Sequence, residues 1–185
     1  MAGFYVVGID NRPQPYYCGD EFYQADALEF CAAHGAEYDA IHSSPPCQFG
    51  SELTPMTFRG RHPNMIPQVR TALIATSRPY VIENVENVRR HLVNPIMLCG
   101  SMFGLGVWRH RYFELSFPAM LTPTCNHSGV PVLISGTRRR DNDRYEFSAQ
   151  ACRDASGLHW MTRKEMDEAI PPAYALFVGG WLMKA

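Results

Sequence analysis

Cys47 closes the stretch Ser44-Pro-Pro-Cys-Gln48, which follows an apolar run. Two prolines fix two φ angles near −65° and donate no N–H, so the chain leaving that run holds one extended course and the thiol points one way. A thiol held so is suited to act as a nucleophile. Glu83 ends a second apolar run, Pro79-Tyr-Val-Ile-Glu83, with Asn84 at its exit. Asp10 and Asp26 stand just past two further short segments. Each has a plainer reading: Asp10 as a turn residue, Asp26 as a helix N-cap, Cys47 as a small buried hydrophobe, Glu83 as the partner of Arg89 or Arg90. Together they put a nucleophile and an acid at neighbouring strand ends, facing one crevice.

The elements that must hold these residues alternate. Phe4–Ile9, Tyr38–His42 and Pro79–Glu83 are short apolar runs with the look of buried strands, and Ile96–Cys99 and Arg111–Leu115 add two more. Asp26–His34, closed by Gly35, and Ile66–Ser77 have helical spacing. Strand and helix alternating at this distance predict a parallel or mostly parallel sheet with helices on both faces, where ligands gather at the carboxyl ends of the strands. Residues 118–157 break the pattern with several prolines and the cluster Arg138-Arg-Arg-Asp-Asn-Asp-Arg144, and no helix is expected there. Thr162-Arg-Lys-Glu165 reads as a capping box, and Pro172–Met183 as a closing apolar helix. The organisation expected is a core over residues 1–117, an insert over 118–157, and C-terminal helices over 158–185 that complete the core.

A chain of 185 residues with 46% hydrophobic content can bury a full core. No apolar run approaches the length of a membrane span and no signal peptide is evident, so a cytoplasmic protein without a membrane partner is expected. Six cysteines without a C-x-x-C pair argue against a disulfide framework or zinc ribbon, and Cys125-Asn-His127 is read as a turn, with no metal expected. Residues 1–58 carry one basic residue against eight acids, while residues 59–185 carry sixteen against ten. The later part is therefore the one that can face phosphates.

Ser44-Pro-Pro-Cys-Gln48, Glu83-Asn-Val85 and Arg109-His-Arg-Tyr-Phe113 resemble, in order, the Pro-Cys-Gln, Glu-Asn-Val and Arg-x-Arg-x-Phe blocks of DNA cytosine-5 methyltransferases. Val6-Val-Gly-Ile-Asp10 is similar to the family's second cofactor strand, Gln24-Ala-Asp26 to its adenine-contacting turn, and Ala169-Ile-Pro-Pro-Ala173 to the start of its closing helix. The compact size and short insert are similar to bacteriophage-type members.

The resemblance implies a Rossmann-like methyltransferase sheet, double-stranded DNA as partner and S-adenosylmethionine as cofactor. It implies that the Cys47 thiolate adds to C6 of a flipped-out cytosine while Glu83 holds and protonates the ring, with Arg109 and Arg111 bracing the carbonyl and thiol regions. Pro45, Pro46, Gln48 and Asn84 would line the base, and Asp10, Asn11 and Asp26 the nucleoside half of the cofactor. Residues 118–157 would be the target-reading insert, with Arg138, Arg139, Arg140 and Arg144 on DNA, and Arg59 and Arg61 on a loop closing over it.

Two departures concern the cofactor. The family's first strand and glycine-rich loop, which approach the methionine end, have no counterpart: Met1-Ala-Gly-Phe4 corresponds to the end of the first helix, so the sheet is expected to be N-terminally truncated with a central edge exposed. The Gly-Asn pair before the closing segment is replaced by Asp167-Glu168. The open explanations are an upstream start, a second polypeptide supplying the missing piece, or a protein working without this cofactor. The last is either a non-catalytic DNA binder or an enzyme with another one-carbon donor. RNA stays open as substrate.

Overall fold

The computed structural model describes residues 3–49, 62–134, 138–140, 143–145 and 147–185, the two segments 138–140 and 143–145 by backbone alone. It is a mixed α/β protein whose strands form three sheets. β1 (Val7–Asp10) pairs in parallel with β2 (Glu21–Gln24). A second sheet has the order β3 (Ile41–Ser43), β4 (Tyr80–Asn84), β6 (Arg111–Leu115), β5 (Ile96–Leu98). β3 and β4 are parallel, whereas β6 is antiparallel to both β4 and β5. The expected mostly parallel sheet therefore gives way to one with a reversed strand wedged between two that share a direction. The chain from Cys99 to His110 carries a single 3-10 turn, Gly100–Phe103, and no crossover helix, so β6 comes back alongside β5 as a return strand. The outer edges of β1 and β3 have no strand partner among the described residues.

Within the larger sheet, side chains alternate between two cores. Tyr80, Ile82 and Tyr112 join Ile66 and Leu73 of α2 (Ile66–Ala75) on one face. Val81 and Phe113 join Tyr174 and Val178 of α5 (Pro172–Leu182) on the other. β4, buried along its whole length, is the central strand that its continuous apolar run requires. α1 (Ala27–His34) starts at Asp26, whose carboxylate accepts from the Leu28 and Glu29 N–H groups at 2.8 and 3.0 Å. It is the plain N-cap reading realised.

The stretch 118–157 is more ordered than its composition suggests. β7 (Arg138–Arg140) and β8 (Asp143–Tyr145) make an antiparallel hairpin. A helix that the sequence reading did not expect, α3 (Ala149–Ser156), runs from an N-cap at Ser148 to Gly157, whose φ of 75° suits glycine. Its polar residues hid it, since it buries only Cys152 and Ser156. Cys152 packs with Val107, Ile134, Leu158 and Met166 of α4 (Arg163–Glu168) in a third core. Among the described residues, no helix is long and apolar enough to cross a membrane.

Candidate active site

The register of β3 and β4 pairs Ser43 with Ile82, so the loop Ser44-Pro-Pro-Cys-Gln48 and the pair Glu83-Asn84 leave the sheet side by side at the same end. Two side-chain bonds join them. The Asn84 amide donates to the Pro45 carbonyl at 2.9 Å, and the Ser44 hydroxyl donates to the Glu83 carboxyl. Asn84 also accepts from the Val85 N–H at 2.9 Å, which fixes its amide. Pro45 is buried, Cys47 half-buried and Pro46 and Gln48 exposed. The Cys47 residue is thus partly accessible on a loop whose base is anchored.

Glu83 sits opposite Phe113 in the β4–β6 ladder, so alternation brings Arg111 and Arg109 toward its face of the sheet and sends His110 to the other. Arg111 Nε lies 3.1 Å from Glu83 Oε1, with only 14% and 7% of their side chains exposed. Glu83 does not pair with Arg89 or Arg90; Arg89 lies near Glu86 instead, at 3.8 Å. Burial raises the Glu83 carboxyl above the ordinary range, and Arg111, the Ser44 hydroxyl and Arg109 hold the rise back without cancelling it. Glu83 therefore keeps its proton to higher pH than an exposed glutamate.

Arg109 donates to the Asp167 carbonyl, and its own carbonyl accepts from the Tyr174 hydroxyl at 2.7 Å. Burial and the neighbouring Arg111 charge push its guanidinium down to about 10, so it remains a cation at neutral pH. Its buried Nε–H has no partner among the described residues. A buried donor left so costs about 1–3 kcal/mol. It is free to meet an oxygen acceptor brought by a ligand. A recess of about 310 Å³ adjoins Arg109, walled by Val107, Trp108 and Pro131–Ile134. Cys47 and Glu83 do not line it, so the recess is distinct from the end of β4 where the Cys47 loop is anchored.

At the other sheet, Asp10 ends β1 and accepts from the Arg12 N–H at 2.8 Å and the Gln14 amide at 2.9 Å. Asn11 offers its carbonyl to the Gln24 amide at 3.2 Å. Asp26 is exposed and caps α1. Both carboxylates retain lone pairs for further donors, and the pairing of Asp10 with Gln24 puts them at adjoining strand ends. Arg59 and Arg61 lie outside the described residues. Arg138, Arg139, Arg140 and Arg144 fall in the β7–β8 hairpin, and their side chains likewise lie outside what is described.

Sequence reasoning missed Ser44 as the Glu83 partner and Tyr174 as the prop of Arg109. It also read Cys125-Asn-His127 incompletely, because the two side chains converge with Cys99 and His110. Compared with models of protein families and with curated proteins, the chain matches none.

Proposed function

We propose that the protein is a cytosine C5 methyltransferase acting on double-stranded DNA, with Cys47 as nucleophile, Glu83 as acid and a Rossmann-like ancestry for its sheet. The observation that carries this reading is the double link between the Cys47 loop and the end of β4, Asn84 to Pro45 and Ser44 to Glu83. It tethers the loop that carries the half-buried Cys47 to the strand end that carries the proton-retaining Glu83, which has Arg111 and Arg109 beside it.

The chemistry follows from those groups. The Cys47 sulfur forms a bond to C6 while Glu83 delivers its proton to N3, so that the electron pair displaced from the ring resides at C5 without building a full negative charge. The unpartnered Nε–H of Arg109 faces the pyrimidine carbonyl, and Arg111 keeps Glu83 oriented. After C5 has been substituted, loss of its proton to a base, expulsion of the thiolate and return of the N3 proton to Glu83 restore the aromatic ring and the enzyme. A base stacked in duplex DNA cannot present C6 to sulfur, so the cytosine must swing out.

S-adenosylmethionine, when bound, supplies the methyl group. Asp10, Asn11 and Asp26 fit its nucleoside half, with free carboxylate lone pairs at adjoining strand ends. No seat for the methionine end is formed among the described residues, and a second polypeptide supplying one belongs to this proposal. The Arg138–Arg144 hairpin is assigned to DNA contact, and a cytoplasmic location of bacteriophage type goes with it.

The test does not need the cofactor. Addition of sulfur at C6 makes C5 basic, so a duplex labelled with tritium at cytosine C5 releases the label to water. Wild-type protein is expected to release it, and Cys47→Ser and Glu83→Gln are expected not to. Release that persists in Cys47→Ser would remove Cys47 as the nucleophile, and duplex binding without release in the wild type would favour a non-catalytic DNA binder.

A further inference from the structure

On the side of the Arg109–Arg111 segment away from Glu83, four donor atoms converge. The β5–β6 ladder ends with Leu98 opposite Arg111, so its next step sets Cys99 against His110. Cys125 and His127 arrive from the following segment. The sulfur and imidazole atoms of all four lie within 4.8 Å of one another. His127 Nε2 is 3.3 Å from Cys99 Sγ, 3.1 Å from Cys125 Sγ and 3.1 Å from His110 Nε2. Cys125 Sγ is 3.7 Å from His110 Nε2.

These separations come within about 0.5 Å of those of a tetrahedral centre. With metal–sulfur and metal–nitrogen bonds of about 2.3 and about 2.05 Å, tetrahedral angles space sulfur from nitrogen by about 3.6 Å and nitrogen from nitrogen by about 3.4 Å. The surroundings hold the donors in place. The Trp108 ring stacks on His127 at 4.2 Å with a 4° tilt. Ser101 Oγ donates to Cys99 Sγ at 3.2 Å and accepts from the Asn126 N–H at 3.1 Å. The other nitrogen of His110 faces a Glu86 carboxylate oxygen at 3.7 Å, the kind of outer partner that orients a metal-bound imidazole.

We infer that Cys99, His110, Cys125 and His127 form a structural zinc site. Two thiolates and two neutral imidazoles fill four positions and leave none for substrate, which marks a structural rather than a catalytic centre. The donor set is soft enough to select zinc over magnesium or calcium. Binding displaces one proton from each thiol, and the resulting pair of thiolates neutralises the dication, so no net charge is added beside Arg109 and Arg111. The site's work is positional. His110 is the residue between the two arginines, so the metal clamps the backbone that aims both, and it ties the start of the 118–157 insert to the sheet.

The assignment does not depend on the methyltransferase reading, and its test uses neither DNA nor cofactor. Full-length protein purified without chelator is expected to carry about one equivalent of zinc per chain, released on denaturation. Cobalt(II) exchanged into it should show the intense d–d bands of a tetrahedral ion together with thiolate-to-metal charge transfer. Cys125→Ser and His127→Ala should retain less than about a tenth of the metal after dialysis against a chelator. Cys18→Ser, at an exposed cysteine outside the cluster, should retain all of it. Because the cobalt spectrum is read on wild-type protein, misfolding of a variant does not blunt the test. A wild-type chain that takes up neither ion, an octahedral cobalt spectrum, or a Cys99–Cys125 disulfide in the purified protein overturns the assignment.

Discussion

Arg70 and Glu114 lie far apart in sequence yet form the best-defined buried ion pair of the described chain. Arg70 Nε and Nη2 donate to the two Glu114 carboxylate oxygens at 2.7 and 2.6 Å, and Nη2 also donates to the His91 carbonyl at 2.7 Å. The Val93 N–H adds a fourth bond, to Glu114 Oε2 at 2.7 Å. Glu114 keeps 2% of its side-chain exposure and Arg70 20%. Replacing Arg70 with leucine leaves a buried carboxylate with one neutral donor. Breaking a pair this enclosed costs about 3–5 kcal/mol, because the remaining charge is uncompensated. For a chain of this length, roughly 2–4 °C per kcal/mol converts that into a fall of about 6–20 °C in Tm. The double variant Arg70→Leu/Glu114→Gln removes the charge, keeps an oxygen for the Val93 N–H, and should recover at least about 2 kcal/mol of the single-variant loss. Denaturant titrations and calorimetry on wild type, both single variants and the double variant give the coupling directly. If the single variant loses under about 1 kcal/mol, or the two losses simply add, then the pair is held by packing and the uncompensated-charge reasoning is wrong.

Tritium release should also depend on pH in a direction set by Glu83. Its carboxyl is raised by burial, and it acts protonated, so the alkaline limb of the release profile falls as pH rises through that raised value. The same shift means that Glu83 favours the folded state below its unfolded pKa and that this contribution is lost as pH rises through the folded one. Ser44→Ala removes a bond that opposes the rise, so the alkaline fall should move to higher pH; a fall that stays put or moves down removes Ser44 from the site. Asp26→Ala should cost about 1 kcal/mol in chemical denaturation through loss of the α1 cap, whereas Asp26→Asn, which keeps a capping oxygen, should change stability by only a few tenths.

What the sequence revealed was mostly local. The Asp26 and Gly35 ends of α1 and the Thr162-Glu165 capping box could be read because a cap and its partners lie within one turn. The exit of the Cys47 loop and the Glu83-Asn84 pair at one end of the sheet was legible one level up, since adjacent parallel strands deliver their carboxyl-end residues to the same side. The reversal of β6 was not, because a buried strand has the same period in either direction. Nor were the pairs Arg70–Glu114 and Cys99–His110, which exist only through register between distant segments. β2, with its polar ends Glu21 and Gln24, and α3, with little apolar content, gave too weak a hydrophobic signal to stand out.

The division between the β1–β2 ladder and the larger sheet has a mechanical meaning. None of the residues of β1 or β2 is fully buried, and the two bodies of sheet meet through α1 packed on α2 rather than through shared backbone bonds. The N-terminal ladder can therefore open while the other stays shut, at a cost below that of global unfolding. A small molecule that bridged Asp10 or Asp26 to the Cys47 loop would act as a rivet between two plates that share no strand. Its arrival would register first as lost motion, with little change of shape.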